Sequence, residues 1–193
     1  LRLFFFLPFR VMTSAQSPDL RLGARALARR SHSPKHGDIV LFRLPSPRGS
    51  APESLHLGRI VALPGDSVEL RAGRLVVNEE EVHDYRHEIN PTESYALRLP
   101  REGGVYPITS MNLVAYRSAL LEEQKLYPSA PDEVALEGTD PKHWLKALAK
   151  NPYHTFRRDY YWVLTDQTQA APDSRHLGIL PADAILGIVL FSL

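Results

Sequence analysis

The chain has 193 residues, which allows one domain, or one domain with a large insertion, and is enough to bury a core of its own. Hydrophobic residues make up 44% and charged residues 23%, a balance typical of folded proteins and not of disordered, collagenous or coiled-coil chains. The 23 Lys and Arg nearly balance the 22 Asp and Glu, and the net charge of +1 offers no basic field to nucleic acid. We therefore predict no nucleic-acid partner.

Cysteine is absent, which excludes disulfide scaffolds, thiolate catalysis and zinc sites built on sulfur. The eight His are scattered along the chain. His83 and His87 would share one face of a helix, but the residues around them do not form an HExxH motif. We interpret them as a solvated pair and predict neither a metal ion nor another cofactor.

The N-terminal segment allows two interpretations. Residues 1–9 are rich in Phe and Leu but are too few to span a bilayer, which needs about 20 apolar residues. They predict either a core strand or the outer end of a membrane helix. Farther along, Arg21, Arg25 and Arg29 are four apart and form one charged face in a strand or in a helix. That face is either simply solvated or attracted to anionic lipid headgroups.

Strand patterns dominate most of the remaining sequence. Short apolar runs bounded by turn residues occur at 39–42, 56–63, 160–164 and 185–191. Residues 68–70 and 75–77 form a predicted hairpin around Ala72 and Gly73. Turns at intervals of 8 to 12 residues are typical of small barrels and sandwiches, so we predict a mainly β fold.

Residues 79–158 have a different pattern. Ser110 could cap a helix that ends before Pro128, and residues 139–141 could begin a second helix containing Trp144 and Leu148. A segment of this length needs structure of its own. We predict a β-body interrupted by a mixed α+β insertion.

Four segments together resemble the motif blocks of type I signal peptidases, the S26 serine peptidases that use a Ser-Lys dyad. Residues 59–66 (RIVALPGD) resemble K-R-x-x-x-L-P-G-D, residues 173–181 (DSRHLGILP) resemble D-S-R-x-x-G-x-x-P, and residues 37–42 (GDIVLF) resemble G-D-I-V-x-F. Residues 9–20 stand where the family has the end of a membrane helix followed by S-x-S-M-x-P-T-L. The long insertion and the aromatic run at 159–162 are most similar to the Bacteroidetes members.

The resemblance implies an architecture and a location. The fold would be a signal-peptidase-like and LexA-like β-body, mainly β, with a large mixed α+β insertion. Residues 1–9 would be the stub of an N-terminal membrane anchor, residues 10–78 and 159–193 the β-body, and residues 79–158 the inserted subdomain. The domain would lie on the periplasmic, extracytoplasmic side of the membrane.

The resemblance also indicates that the catalytic dyad is missing. A Ser-Lys dyad needs a hydroxyl and a buried amine of lowered pKa to remove its proton. Alignment on the proline and arginine of the blocks puts Ala15 at the nucleophile position and Gly58 at the base position. Gln16 replaces a methionine and Ala171 a serine, whereas Thr13 retains the hydroxyl that the family uses to bind the oxyanion.

The remaining matching residues are interpreted as structural. We expect Asp173 and Arg175 to form an internal ion pair, and Asp66 to stabilise the turn in which it lies. The residues assigned to this structural motif are Arg59, Pro64, Gly65, Asp66, Asp173, Ser174, Arg175 and Gly178.

Three functions follow. The first is an inactive pseudopeptidase that binds an extended peptide, or a membrane partner, in a groove formed by Thr13, Ala15, Gln16, Gly58 and Ala171, while the insertion could contact a protein partner. The second is an active signal peptidase in which Ser14 or Ser17 pairs with His56 as the base. The third is a structural periplasmic module in which other side chains cover Ala15 and Gly58 and no groove is left.

Overall fold

The computed structural model describes residues 5–31, 33–44, 54–82, 94–127, 144, 146, 148–149, 151–167 and 171–192. These residues form a mainly β structure, as the sequence predicts. Within this part of the chain, none of the helices combines the length and the apolar character needed to cross a membrane.

The larger sheet has seven strands in the order β1-β2-β13-β3-β4-β11-β12. Each of its hydrogen-bonded pairs is antiparallel. The bounds are Phe6–Arg10 for β1, Arg25–Arg29 for β2, Ile39–Leu44 for β3, Ser54–Ala62 for β4, Tyr160–Leu164 for β11, Leu180–Pro181 for β12 and Ile185–Ser192 for β13. The predicted strands at 39–42, 56–63, 160–164 and 185–191 are thus confirmed within one or two residues.

A second sheet contains four strands in the order β7-β6-β5-β8. Their bounds are Ser67–Arg71 for β5, Arg74–Val77 for β6, Glu80–Glu81 for β7 and Tyr95–Arg98 for β8. The predicted hairpin is confirmed, and both residues of its turn, Ala72 and Gly73, have positive φ angles of 51° and 75°. Positive φ at both central positions is typical of two-residue hairpin turns, whose twist matches that of the strands. A further pair joins β9 (Val105–Pro107) to β10 (Tyr153–Thr155).

Two helices have defined bounds, α1 at Leu113–Leu126 and α2 at Ser174–Leu177. The helix predicted after Ser110 is confirmed as α1, although its N-cap residue is Asn112. The Asn112 side chain accepts a hydrogen bond from the Thr109 amide instead of capping a helix amide. Trp144 and Leu148 of the second predicted helix are helical and buried, and its proposed start at 139–141 lies outside the described residues.

The larger sheet is covered on both faces. Val40 and Phe42 of β3 pack on one face with Ile60 and Val163, while Leu41 points to the other face. Such burial explains why the strand has a continuous apolar run and not an alternating pattern. A third cluster joins the four-stranded sheet, α1 and β11, and includes Leu70, Leu97, Tyr116, Leu120 and Trp162.

The start of the chain differs from the stub of a membrane helix that the resemblance implies. Residues 6–9 belong to β1, which pairs with β2, and Leu7 and Phe9 pack against the cluster containing Val11 and Leu20. Their alternate side chains reach the core, as expected for a strand. An anchor preceding these residues stays a prediction. The Arg25–Arg29 segment, which the sequence left open, is strand β2.

The predicted boundary between β-body and insertion crosses a shared core. Strand β5 lies before residue 78 and β8 lies after it, yet the two strands pair, with Val68 opposite Leu97. Both residues belong to the same cluster as Trp162 of β11. The division at residue 78 stays a prediction, and the packing joins the two parts. His83 and His87 lie outside the described residues.

Candidate functional site

The segment that resembles the nucleophile block is buried against the end of β11. The Ala15 carbonyl accepts a hydrogen bond from the Gln167 amide at 3.0 Å, and Ala15 and Gln16 are both completely buried. The Gln16 Nε2 donates to the carbonyl oxygen of Leu164 at 3.4 Å, and its Oε1 has no hydrogen-bond partner in the described part of the chain. Thr13 Oγ1, at the position predicted to bind an oxyanion, accepts from the Ala15 amide at 3.2 Å.

The position that resembles the base is closed by a neighbouring strand. Gly58 lies in the middle of β4, and a Cβ atom added there would fall within 3.0 Å of Val163 Cγ1 on β11. The same atom would lie 3.3 Å from Phe42 Cε1 and 3.5 Å from the Leu164 carbonyl oxygen. Val163 and Phe42 are each 1% exposed. No side chain fits at residue 58 without displacing Val163, because real Cβ atoms do not approach other atoms so closely.

Gln16, next to Ala15, and the position of a residue 58 side chain both approach one backbone group. The Leu164 carbonyl oxygen both accepts from Gln16 and faces the direction in which a residue 58 side chain would point. Neither Ala15, Gln16 nor Gly58 lines the groove described below, although the sequence had placed all three in a groove together with Thr13 and Ala171.

The block at 173–181 holds β11 in this position. Ser174 Oγ accepts a hydrogen bond from the Val163 amide at 2.9 Å, and Asp173 Oδ2 accepts from the Thr165 amide at 3.1 Å. The predicted internal ion pair is present, with Arg175 Nη2 2.6 Å from Asp173 Oδ2 and Arg175 Nε 3.0 Å from Asp173 Oδ1. Burial by itself would raise the pKa of Asp173, but hydrogen bonds from Arg175 and the Thr165 amide outweigh it and lower the pKa. Gly178 ends α2 with a φ of 81°.

Arg59 joins three segments of the chain. Its Nη2 lies 2.6 Å from Asp166 Oδ2, after β11, and 2.7 Å from Asp19 Oδ2, after the Ala15 segment. Its Nη1 donates to the Gly37 carbonyl at 3.0 Å. The hydrogen bond to Asp166 is the largest cause that raises the pKa of Arg59. Arg59 thus positions the Ala15 segment, which agrees with its assignment to the structural motif.

Asp66 has the predicted role in its turn. Its Oδ2 accepts from the Leu63 amide at 2.7 Å and lies 2.7 Å from His36 Nε2, and its Oδ1 accepts from Asn78 Nδ2 at 2.8 Å. These bonds hold the pKa of Asp66 below its usual value, although burial opposes them. Gly65 in the same turn, after Pro64, has a φ of 93°, which explains glycine at this position.

A groove of about 570 Å³ opens beside the other half of β4. Its apolar wall includes Leu44, Ala119, Leu177, Leu180 and Ala184, and its polar residues include Arg43, Ser54, His56, Glu122, His176 and Asp183. The groove thus lies between the ends of β3 and β4, helix α1 and the segment that follows α2.

His56 has a different serine partner from those predicted. Its Nε2 is 2.8 Å from Ser54 Oγ, and its ring stacks on Phe42 with centroids 5.6 Å apart. Burial lowers the pKa of His56. Among the described residues, neither Ser14 nor Ser17 has a side-chain hydrogen bond to His56. Ser54 was not among the predicted partners of His56, although a spacing of two residues in a strand places both side chains on one face.

Two features complete the description of the site. In the part of the chain that the structure describes, no group of three or more His, Asp or Glu side chains is arranged to hold a metal ion. Glu123 of α1 is 2% exposed and accepts from the Tyr160 hydroxyl at 2.8 Å and the Arg157 amide at 3.0 Å. This bonding ties α1 to β11 and to the segment that follows β10.

Comparison with known proteins identifies the class. The family model described as "Signal peptidase, peptidase S26" matches residues 1–193, so the chain belongs to the signal peptidase S26 family. Among solved structures, a signal peptidase I from Enterococcus faecalis is similar, with 20% identity, a TM-score of 0.37 and coverage of 82% of this chain and 97% of that one. No match was found among curated proteins.

Proposed function

We propose that this chain is a member of the S26 family that does not cleave peptides through a Ser-Lys dyad and instead binds an extended peptide in the groove beside β4. The observation that carries the proposal is the closed position at Gly58. Val163 occupies the space that the side chain of a base at residue 58 would need, and Ala15 offers no hydroxyl. Since the motif alignment puts the family's nucleophile and base at these two residues, both observations support a chain without the family mechanism.

The groove favours binding over a purely structural role. Its volume of about 570 Å³ is within the range of ligand pockets. Apolar side chains form most of its wall, and charged groups from three elements, Arg43, Glu122 and His176, surround them. An extended peptide offers both apolar side chains and backbone hydrogen-bonding groups to such a wall.

Cleavage is tested first with a preprotein-like peptide that has small residues at the cut site. The chain is incubated with this peptide in detergent beside an active signal peptidase, and the products are identified by mass spectrometry. We expect intact peptide with this chain and one specific cut with the active enzyme. Specific cleavage by this chain would refute the proposal and favour a replacement nucleophile.

Binding is tested by the fluorescence anisotropy of the same peptide carrying a dye. Ser118→Trp places a large side chain at the groove from an exposed position of α1, and Val114→Trp is the matched control at a 76% exposed position of the same helix that does not line the groove. We expect Ser118→Trp to weaken binding by about tenfold or more, a free-energy loss of about 1.4 kcal/mol, and Val114→Trp to leave it unchanged. Equal affinities of both variants would place the peptide elsewhere, and no binding by the unaltered chain would favour a structural module.

The location and partners of the protein form part of the proposal. Membership of the family supports a membrane-anchored protein whose folded domain lies on the periplasmic, extracytoplasmic side. The inserted segment, which contains α1 and contributes Ser118 and Glu122 to the groove, is the part through which a protein partner could influence peptide binding. Protease digestion of intact cells, of cells with only the outer envelope opened and of fully lysed cells that express the full-length protein would test the location. An extracytoplasmic domain is digested in the second sample, whereas a cytoplasmic domain is digested only in the third.

A further inference from the structure

Ser54 and His56 form a hydrogen-bonded pair that no resemblance to the family assigns. They lie two residues apart on β4, so their side chains share one face of the strand. Ser54 Oγ and His56 Nε2 are 2.8 Å apart, which is the distance expected between a nucleophile and its general base. The pair lies apart from the Ala15 segment and belongs to the groove.

Both partners are placed for chemistry on a bound molecule. Ser54 is exposed and His56 is half-buried, and both line the groove. Phe42 lies opposite His56 on β3 and stacks on its ring with an interplanar angle of 27°, which fixes the orientation of the imidazole. Burial also lowers the pKa of His56, so the ring is mostly neutral at neutral pH and can accept a proton.

We propose that Ser54 and His56 form a nucleophilic site that hydrolyses esters of apolar carboxylic acids bound in the groove. Ester oxygen is a better leaving group than an amide nitrogen, so the site needs less activation than peptide cleavage. Leu44, Leu177, Leu180 and Ala184 supply the apolar surface against which the acyl chain would lie. This activity requires neither the proposed peptide binding nor the family dyad, although a peptide and an ester would compete for the same groove.

The reaction has two balanced steps. Ser54 Oγ attacks the acyl carbon and transfers its proton to His56 Nε2, and the bond from the acyl carbon to the alcohol oxygen breaks as His56 protonates the departing alcohol. Water then attacks the acyl-serine ester and gives its proton to His56. The bond between the acyl carbon and Ser54 Oγ breaks, the proton returns to Oγ, and a carboxylic acid leaves.

The test uses alkyl fluorophosphonates, which form a stable bond from phosphorus to a reactive serine oxygen and release fluoride. The full chain is labelled, digested and mapped by mass spectrometry. We expect modification at Ser54. In His56→Gln the labelling rate should fall on the order of 100-fold, which is the lower end of the rate enhancement that a general base typically supplies. Ser110→Ala is the matched control, because Ser110 is exposed and does not line the groove, so its loss should not affect labelling. The thermal unfolding midpoint of each variant shows that the fold is retained.

Chain length and pH provide two readouts in the unaltered protein. An apolar groove predicts faster labelling by an octyl than by a butyl probe, by about fourfold for each methylene that enters it. The rate should rise with pH as His56 loses its proton and then level off, and the midpoint of the rise should lie below 6.5, the ordinary pKa of histidine. The other charged or titratable groups that line the groove are Arg43, Glu122, His176 and Asp183.

Three outcomes would overturn the proposal. One is labelling only at serines other than Ser54. Another is labelling of Ser54 at the same rate in folded His56→Gln, which would show a hydrogen bond without a catalytic role. The third is a rate that continues to rise up to pH 10, as for a serine that ionises without a base. A negative peptide-binding result would leave this proposal standing, because the two assays follow different molecules.

Discussion

Adding one methyl group at residue 58 tests whether Val163 closes the base position. In Gly58→Ala the new Cβ would lie within 3.0 Å of Val163 Cγ1 and 3.3 Å from Phe42 Cε1. Both neighbours are 1% exposed, so neither can move into solvent. Carbon atoms pack at about 3.5 to 4.0 Å, and the strands must therefore shift by several tenths of an ångström or more.

The expected magnitudes follow from packing. Overpacking a well-packed core costs about 1–3 kcal/mol, which exceeds the stabilisation of about 0.5–1 kcal/mol that Ala normally brings to a strand relative to Gly. Val163→Ala alone removes two buried methyl groups, and at about 0.5–1.5 kcal/mol each it costs about 1–3 kcal/mol. In the double variant the methyl group added at residue 58 occupies part of the vacated space. The free energy of unfolding of the double variant should exceed the additive value by about 1–3 kcal/mol.

Urea unfolding of the four chains measures this coupling, provided that the m-values agree. Gly187→Ala is the matched control, because a Cβ there would lie 2.6 Å from the backbone carbonyl of Arg29 and not near Val163. Val163→Ala should therefore rescue Gly58→Ala and fail to rescue Gly187→Ala. Additivity of the first pair within about 0.5 kcal/mol would show that Val163 does not close the position, and would remove the main support for the proposed inactivity.

Two further predictions concern the ion pairs that frame the site. Arg59→Ala should lower the free energy of unfolding by about 3 kcal/mol, because it leaves the Asp166 side chain, which is 6% exposed, without its cation. Asp19→Asn should change the free energy of unfolding by less than about 1 kcal/mol, because the Asp19 side chain is 42% exposed. Equal losses of the two variants in urea unfolding would contradict this. Asp173 has a lowered pKa, so its ionisation stabilises the fold above the ordinary pKa of 3.8, and this stability is lost as the pH falls through the pKa of the folded state. Asp173→Asn should therefore flatten the fall in the thermal unfolding midpoint between pH 5 and 3. If the midpoints of the variant and of the unaltered chain fall in parallel, the lowered pKa of Asp173 is refuted.

The sequence predicted the strands best where apolar runs are bounded by strong turn residues. Strands β3 and β4 lie between Gly or Pro positions that mark their ends, and the β5–β6 hairpin begins after Gly65 and turns at Gly73. Residues 6–9 were harder to assign, because a short apolar run does not distinguish a strand from the end of a membrane helix. Pairing with β2 distinguishes a strand from the end of a membrane helix, and it depends on residues about twenty positions away.

The substituted motif positions could be predicted from the sequence, but their structural surroundings could not. Motif alignment identifies Ala15 and Gly58 from their own positions, whereas Val163 reaches Gly58 only through the pairing of β4 with β11. That pairing shifts its register between Trp162 and Val163. A bulge redirects side chains between the faces of a sheet, and a run of five buried residues contains no periodic signal that would reveal it.

Strand β4 therefore has two halves with different surroundings on one face. Gly58 is covered by Val163, whose amide donates a hydrogen bond to Ser174 Oγ. His56 lies about 6 to 7 Å away along the same face of the strand and opens into the groove. A ligand in the groove can reach Ser54 and His56 but not residue 58. A lysine at residue 58 would consequently need a smaller residue at 163 as well, because Val163 occupies the space that its side chain would enter.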